Sequence, residues 1–327
     1  MIQPVVGIDI AKATFDVCLR VEEKERQAQF ENSAGGFKKL SHWLSRYANQ
    51  KVHACLEATG QYGEAVAEYL YQEGHQVSVV NPARIKAYGG SKLRRNKTDK
   101  ADAQLIALYC QREQPALWTP PPASFKELQA LVRRYEDLQT MIQQEKNRLK
   151  SGTSQAEVVV DLQEHVAYLE GKLKAIFQAI EEHIQAHPEL KQRQALLLSI
   201  PGIGQLTAAK LLGEIRDVCA FEDARQLAAY AGVTPRNFLS GTSIHKKARM
   251  TKMGNAHLRK ILFMPAISAK RHNPIVRAFC QRLLDGGKPS MQVVGAAMRK
   301  LLHLVFGILK SNQPFNPRIL EIGLISS

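Results

Sequence analysis

The hydrophobic pattern of this chain changes at a rigid break, Trp118-Thr-Pro-Pro-Pro-Ala123. Before the break, short apolar runs alternate with amphipathic stretches, which predicts strands and helices in turn. After it, apolar residues recur at spacings of three and four, which predicts helices. Because consecutive prolines make a stiff, extended segment, we expect a domain boundary at this point.

Residues 1–118 are predicted to form an α/β domain. The patterns predict strands at 5–10, 14–21, 26–30, 52–57 and 76–80, and helices at 35–48, about 62–73 and about 99–112. A basic segment, residues 84–98, separates the last strand from the last helix. Three strands followed by strands that alternate with helices predict a mixed sheet covered by helices.

The rest of the chain is predicted to be mainly helical and to form two further domains. Residues 119–187 are predicted to form a helical hairpin with coiled-coil character, its helices at about 124–150 and 157–186. Such a hairpin either pairs with a second copy or serves as a spacer that packs on itself. Residues 188–327 are predicted to form a basic, mainly α C-terminal domain, interrupted at Pro201-Gly202 and Thr234-Pro235 among other breaks.

The positive charge of the chain is concentrated in two segments. The net charge is +15, yet residues 236–310 hold fifteen Lys and Arg against one acid, and residues 84–100 hold seven against one. Such concentration favours a polyanionic partner, either nucleic acid or an anionic membrane. No apolar run reaches about 18 residues and the first residues do not resemble a signal peptide, so we expect no membrane partner. Five scattered cysteines without a CxxC pair indicate a reducing cytoplasm.

Four acidic residues stand out by their surroundings. Asp9 lies in the apolar run 5–10, Glu57 ends the run 52–57, and Asp99 and Asp102 lie three apart at a predicted helix start. An acid inside an apolar strand costs several kcal/mol if it is desolvated without a partner, which suggests a shared cation. Carboxylate oxygens suit Mg²⁺, and two such ions clamp the attacking and leaving oxygens of a phosphodiester. The simpler explanations are that Asp99 caps a helix and that Asp9 only ends a strand.

These acids lie in the motifs GIDIAK, LEATG and NKTDKADA, which resemble the Asp-Glu-Asp-Asp pattern of a RuvC-like, ribonuclease-H-fold nuclease domain. With SIPGIG, YAGVTPRNFLSGTS and the basic C-terminal stretch, the chain resembles transposases of the insertion-sequence-110 family, which includes Piv-type DNA invertases. The resemblance implies a RuvC-like fold for residues 1–118 and a catalytic role for the four acids as ligands of Mg²⁺ or Mn²⁺. It also implies donor and target DNA as substrates, a structured guide RNA from the same element, and a homo-oligomer, either a dimer or a tetramer. The expected location is the cytoplasm of a bacterium or archaeon, in association with the nucleoid.

Ser240 has two interpretations. Before Gly241, a serine is most simply a turn residue, because its hydroxyl is a weak nucleophile unless something removes its proton. In the family that the chain resembles, the serine of the SGxS stretch attacks DNA and forms a phosphoserine link. Ser240 aligns with that serine, and Ser243 is the second candidate.

The sequence thus predicts a DNA transposase or site-specific recombinase that uses Mg²⁺ and a nucleophilic serine. One alternative is a RuvC-like structure-specific endonuclease without a covalent intermediate, in which Ser240 is structural. A second alternative, a sugar-kinase or actin-type ATPase, would need a second glycine-rich phosphate loop, which the sequence lacks. A third alternative is a non-enzymatic RNA or DNA binder.

Nucleic-acid contacts are predicted in both basic segments and in a helix-hairpin-helix-like stretch at 199–204, whose glycines let backbone N–H groups approach a phosphate. The plainer explanations are a solvated basic loop at 84–97 and a helix break at Pro201. The predicted contact residues are Arg84, Lys92, Arg94, Arg95, Lys97, Gly202, Gly204, Arg236, Lys246, Lys247, Arg249, Lys252 and Arg259.

Overall fold

The computed structural model describes most of the chain. The described residues are 3–22, 24–58, 61–90, 99–152, 155–240, 244–251 and 253–317; only the backbone is described for residues 61, 83, 99, 100, 236–240 and 244–249. The chain divides into two compact units, Met1–Pro120 and Pro121–Ser327. The division into three domains stays a prediction.

The first unit is built on a five-stranded mixed sheet. Its strands are β1 (Val5–Ile10), β2 (Thr14–Val21), β3 (Lys24–Glu31), β4 (His53–Glu57) and β5 (Gln76–Val80). In space the order is β3-β2-β1-β4-β5. The first three strands are antiparallel neighbours, whereas β4 pairs in parallel with both β1 and β5. The predicted mixed sheet is therefore confirmed.

Helices lie on both faces of this sheet. They are α1 (Ala34–Tyr47), α2 (Glu64–Gln72), α3 (Pro82–Gly90) and α4 (Asp99–Glu113). Alternation along β1 separates two cores: Val6 and Ile8 pack with α1 and α2, whereas Val5 packs on the opposite face with α3 and α4. Helix α3 takes in the first residues of the basic segment 84–98 and continues to Gly90, where the sequence analysis assigned no helix. Pro82 favours this helix, since its fixed φ suits a first helical turn.

The second unit is mostly helical. Its elements are α5 (Ala123–Lys150), α6 (Ala156–Ala186), α7 (Pro188–Leu198), α8 (Gln205–Ile215), α9 (Ala224–Tyr230), β6 (Pro235–Ser240), β7 (Ile244–Met250), α10 (Ala256–His272), α11 (Pro274–Asp285) and α12 (Ser290–Ser311). The predicted helical hairpin is confirmed as α5 and α6. Its base, including Leu128 and Ile180, belongs to the main core with α8, α10 and α12, whereas Leu138, Ile142 and Leu169 form a separate cluster farther along the hairpin.

One finding differs from the mainly helical prediction for the C-terminal part. Residues 235–250 form an antiparallel strand pair, β6 and β7. Their sequence was not recognised as strands because Lys246, Lys247 and Arg249 interrupt any apolar alternation. In addition, within the described residues one helix, α12, is long and apolar enough to cross a membrane. Because Val293, Ala297 and Leu301 of α12 are buried in the core, this helix is explained as a core helix.

Candidate functional site

Two of the predicted acids lie side by side at one end of the sheet. β1 and β4 run parallel, with Ile8 opposite Leu56, and Asp9 and Glu57 are the next residue of each strand. Since side chains alternate along a strand, both acids point to the same face as Gly7 and Cys55. Both are half-buried. Neighbouring strands lie about 4.8 Å apart, so these two carboxylates share one edge of one face.

Helix α4 covers this face and brings a third acid towards the same end. A Cβ atom on Gly7 would overlap the Ala103 carbonyl oxygen and the Ala107 amide nitrogen, so α4 crosses β1 in direct backbone contact. Farther along the helix, the Cys110 Sγ lies 3.8 Å from the carbonyl oxygen of His53, which pairs with Val5 at the start of β1. Helix α4 is therefore antiparallel to β1, and its first turn lies towards the Asp9 end.

That first turn carries the other two predicted acids. Asp102 is half-buried, one residue before Ala103. Asp99 is the first residue of α4, and its side chain lies outside the described part. The backbone thus brings elements bearing Asp9, Glu57 and Asp102 to one end of the sheet, and their role as ligands stays a prediction.

A further acid, which the sequence analysis missed, lies next to Asp9. Asp16 of β2 is directly opposite Asp9 in the antiparallel ladder and is only 6% exposed. One of its carboxylate oxygens accepts a hydrogen bond of 2.9 Å from the Gln29 amide nitrogen on β3. A row of polar side chains therefore crosses four strands, with Asp16 between Gln29 and Asp9. The signal in the sequence was the short turn between β1 and β2, because the register of that hairpin places Asp16 opposite Asp9.

The chemistry of these donors fits a hard divalent cation. Carboxylate oxygens are the ligands that Mg²⁺ and Mn²⁺ prefer, and like charges directly opposite each other in a ladder destabilise a sheet. Among the residues whose side chains are described, no three of the His, Cys, Asp and Glu type are close enough to hold a metal ion together. The Asp99 side chain, one of the four predicted ligands, is not part of that set.

The second unit carries the predicted nucleophile on its strand pair. Ser240 is the last residue of β6 and pairs with Ile244, the first residue of β7, so it lies at one end of the strand pair. The predicted cations Arg236, Lys246, Lys247 and Arg249 lie on the same two strands. For these residues the side-chain positions lie outside the described part.

The two glycines of the helix-hairpin-helix-like stretch differ in their surroundings. Gly202 has a φ of +104°, and a Cβ atom there would lie 2.8 Å from the amide nitrogen of Ala269, so close packing against α10 explains this glycine. Gly204 is the N-cap residue of α8, and no side chain caps the start of this helix. A Cβ atom at Gly204 would lie in open space. A phosphate contact for either glycine stays a prediction.

The remaining residues predicted to contact nucleic acid differ in their surroundings. Arg84 is exposed on α3. Arg259 of α10 donates a hydrogen bond of 3.2 Å to the Ala231 carbonyl oxygen. Outside the described residues lie Lys92, Arg94, Arg95, Lys97 and Lys252.

Arg259 borders a cleft that sequence reasoning did not find. The cleft has a volume of about 660 Å³ and is also lined by Lys210, Lys260, Met264 and Met291. The buried Glu136 carboxylate lies 3.3 Å from the Lys210 Nζ and 3.1 Å from the His257 Nδ1. Burial lowers the pKa of Lys210, and the attraction of Glu136 opposes that shift. The cleft combines cationic and apolar side chains. The signal in the sequence was the pairing of basic and apolar residues at helical spacing in α8 and α10.

Two family models match the chain. Residues 6–156 match the model of the DEDD transposases of the IS110 group, described as "Transposase". Residues 194–281 match the model described as "Transposase IS116/IS110/IS902 family". The first match contains all four predicted acids, and the second contains the strand pair with Ser240.

Similar proteins point the same way. The chain is 37% identical to a pilin gene-inverting protein of Moraxella bovis over 320 residues, covering 97% of this chain and 98% of the relative. It is 23% identical to the transposase for insertion sequence element IS1111A of Coxiella burnetii, covering 82% and 78%.

A solved structure, T. thermophilus RuvC in complex with a Holliday junction substrate, aligns with 36% of this chain and 99% of its own at 16% identity and a TM-score of 0.27. That score is too low to establish a shared fold. The two family models and the near-complete match at 37% identity establish the family instead. The chain therefore belongs to the IS110 family of transposases and DNA invertases, enzymes that cut and rejoin DNA.

Proposed function

We propose that this chain is the DNA transposase or site-specific recombinase of an insertion sequence, which cuts DNA at the acidic end of its first unit and holds the cut end covalently on Ser240. The observation that carries the proposal is the placement of Asp9 and Glu57 at the ends of adjacent parallel strands, with the first turn of α4 directed to the same end. Such an arrangement concentrates negative charge where a metal-dependent nuclease needs it.

We propose a ribonuclease-H-like, RuvC-like fold for residues 1–118. The strand order, with three antiparallel strands followed by two parallel ones, supports it. Asp9, Glu57, Asp99 and Asp102 would hold Mg²⁺ or Mn²⁺, which when bound would neutralise charge on the scissile phosphate. The chain's own contribution is to keep these carboxylates on one face, which the direct contact between Gly7 and α4 supports.

The proposed chemistry is a transesterification. The Ser240 Oγ forms a bond to phosphorus, the bond from phosphorus to a sugar oxygen breaks, and that oxygen leaves as a hydroxyl after taking up a proton equivalent to the one that the serine loses. The phosphate ester is conserved, so strand exchange can follow without an external energy source. The cations of β6 and β7, Arg236 and Arg249 among them, would hold the phosphate oxygens, and Arg rather than Lys suits a bidentate contact.

The remaining partners are proposed from the family and the charge. Donor and target DNA would lie along the basic segments, and a structured guide RNA would select both by base pairing. Exchange between two duplexes needs more than one subunit, so a homo-oligomer is proposed, a dimer or a tetramer, with the hairpin of α5 and α6 as one contact surface. Recombination in a purified system that depends on added element RNA would support the guide; recombination without RNA would contradict it.

Trapping of the covalent intermediate tests the central proposal. A nicked DNA substrate, from which the cut fragment diffuses away, should leave a protein–DNA adduct with the wild type and with Ser243→Ala, and none with Ser240→Ala. An adduct that is lost only in Ser243→Ala would assign the nucleophile to Ser243. Cleavage by Ser240→Ala without any adduct in the wild type would favour an endonuclease. Recombination that survives Asp102→Asn would favour a non-enzymatic binder.

A further inference from the structure

The acidic end of the sheet contains one carboxylate more than the proposed function uses. Asp16 and Asp9 occupy directly opposite positions in the antiparallel pair of β1 and β2, so their side chains point to the same face. Residues in such positions have Cβ atoms about 4.5–5.5 Å apart. The two carboxylates are therefore immediate neighbours, as Asp9 and Glu57 are on the other side.

The Asp16 carboxylate is buried and is held by a hydrogen bond. Its side chain is 6% exposed, and the Gln29 amide nitrogen donates a hydrogen bond of 2.9 Å to it from the next strand. The next residue on this face of β2, Cys18, is covered by Ala103 and Ala107 of α4. A buried carboxylate held by this hydrogen bond keeps its charge at a defined distance from Asp9.

The nearest cation on the same face of β2 is already engaged elsewhere. Arg20 donates a hydrogen bond of 2.9 Å to the Gln111 side chain and forms an ion pair with Glu25. It lies four residues beyond Asp16, towards the other end of the sheet. On β2 and β3, the described part of the chain therefore gives Asp16 a neutral amide partner, Gln29. The charge of Asp16 adds to that of Asp9 at this end of the sheet.

We propose that Asp16 is a positioning residue for the DNA-cutting reaction, which acts through Asp9 to raise the affinity of the acidic end for a divalent cation. This inference rests on the proposed function. Opposed carboxylates repel in the cation-free protein, and a bound cation relieves that repulsion, so part of the cation's binding free energy comes from the Asp16 charge. Gln29 serves to hold that charge in place.

Mn²⁺ titration of the full-length protein tests the proposal, with calorimetry for affinity and thermal unfolding for stability. Asp16→Asn keeps an oxygen that can accept from Gln29 but removes the charge. We expect it to weaken Mn²⁺ binding about 10- to 100-fold, as substitutions of residues that support metal ligands do. In the cation-free protein the same variant should unfold at an equal or higher temperature. Gln29→Leu should weaken Mn²⁺ binding by a smaller factor.

Two further variants separate the outcomes. Glu73→Gln, an exposed acid that follows α2 at the opposite end of the sheet, should bind Mn²⁺ like the wild type, and Asp102→Asn should lose binding. If Asp16→Asn lowers the unfolding temperature of the cation-free protein and leaves Mn²⁺ affinity unchanged, Asp16 is merely structural and this inference alone is overturned. If the wild type does not bind Mn²⁺, or Asp102→Asn binds it equally well, the proposed function and this inference both fail.

Discussion

At the scale of single residues, Gly7 decides whether α4 can lie over the acidic end of the sheet. Because any Cβ atom there overlaps backbone atoms of Ala103 and Ala107, Gly7→Ala must displace the helix. We expect a loss of about 1–3 kcal/mol in the free energy of unfolding of the first unit, as for other overpacked sites, together with weaker Mn²⁺ binding. Denaturant titration measures the first effect.

A matched glycine in the same unit provides the control for that prediction. Gly35 lies in the first turn of α1, and a Cβ atom there meets only the Ser33 Oγ at 3.8 Å. Gly35→Ala should be neutral or stabilise by about 0.5–1 kcal/mol, since alanine loses less backbone freedom in a helix. Equal effects of the two substitutions would contradict the packing argument.

His303 makes a second residue-scale prediction, which concerns pH. Burial, followed by the charges of Arg299 and Lys300, lowers the pKa of this α12 histidine from its ordinary value of 6.5, while Asp223 opposes the shift. The unfolded chain then takes up a proton at a higher pH than the folded one, so stability falls as the pH drops below 6.5. Between about pH 7.5 and about pH 5.5, His303→Leu should lose less stability than the wild type. As a control, His42→Leu, which changes an exposed histidine of α1, should lose as much stability as the wild type over the same pH range.

At the scale of elements, predictability from sequence followed the strength of the local pattern. The strands around Asp9 and Glu57 were predictable because an acid at the end of an apolar run is conspicuous, and α5 and α6 because their spacing persists over many turns. The strand pair of β6 and β7 was not predictable from the sequence. Its basic residues hide the alternation of apolar and polar positions, and whether two segments pair cannot be read from either segment alone. Asp16 was missed for a related reason: its importance depends on register with β1, which no single strand reveals.

The hairpin of α5 and α6 leads to an element-scale prediction. Leu128, at its base, is fully buried in the main core, so Leu128→Ala should lower the free energy of unfolding by about 2–5 kcal/mol.

In contrast, replacing residues 148–162 with a short glycine-containing turn removes the far end of the hairpin, where Val158 and Val160 are exposed. The shortened protein should keep its unfolding midpoint but lose self-association in sedimentation experiments. An unchanged mass would place the oligomer contact elsewhere.

At the scale of the whole molecule, the charge is divided unequally between the two units. Residues 121–327 hold 29 of the 45 Lys and Arg residues but only 17 of the 30 acidic ones. Most of this excess lies between residues 236 and 310, in the part that carries β6, β7 and α10. We therefore expect the second unit to supply most of the phosphate contacts, and the first unit to supply the acidic end that acts on the bound strand.

The salt dependence of DNA binding tests this division of labour. Each phosphate contact contributes about −0.9 to the slope of log K against log salt concentration, because it releases condensed counterions. The separate unit Pro121–Ser327 should show nearly the slope of the full chain, and Met1–Pro120 a much shallower one. Within the full chain, Lys246→Ala with Lys247→Ala should reduce the slope by about 2, whereas the same pair of changes at Lys172 and Lys174 of α6 should not alter it. Equal slopes for the two separate units would show instead that both units contact phosphates, and that the basic residues before α4 contribute as much as those of the second unit.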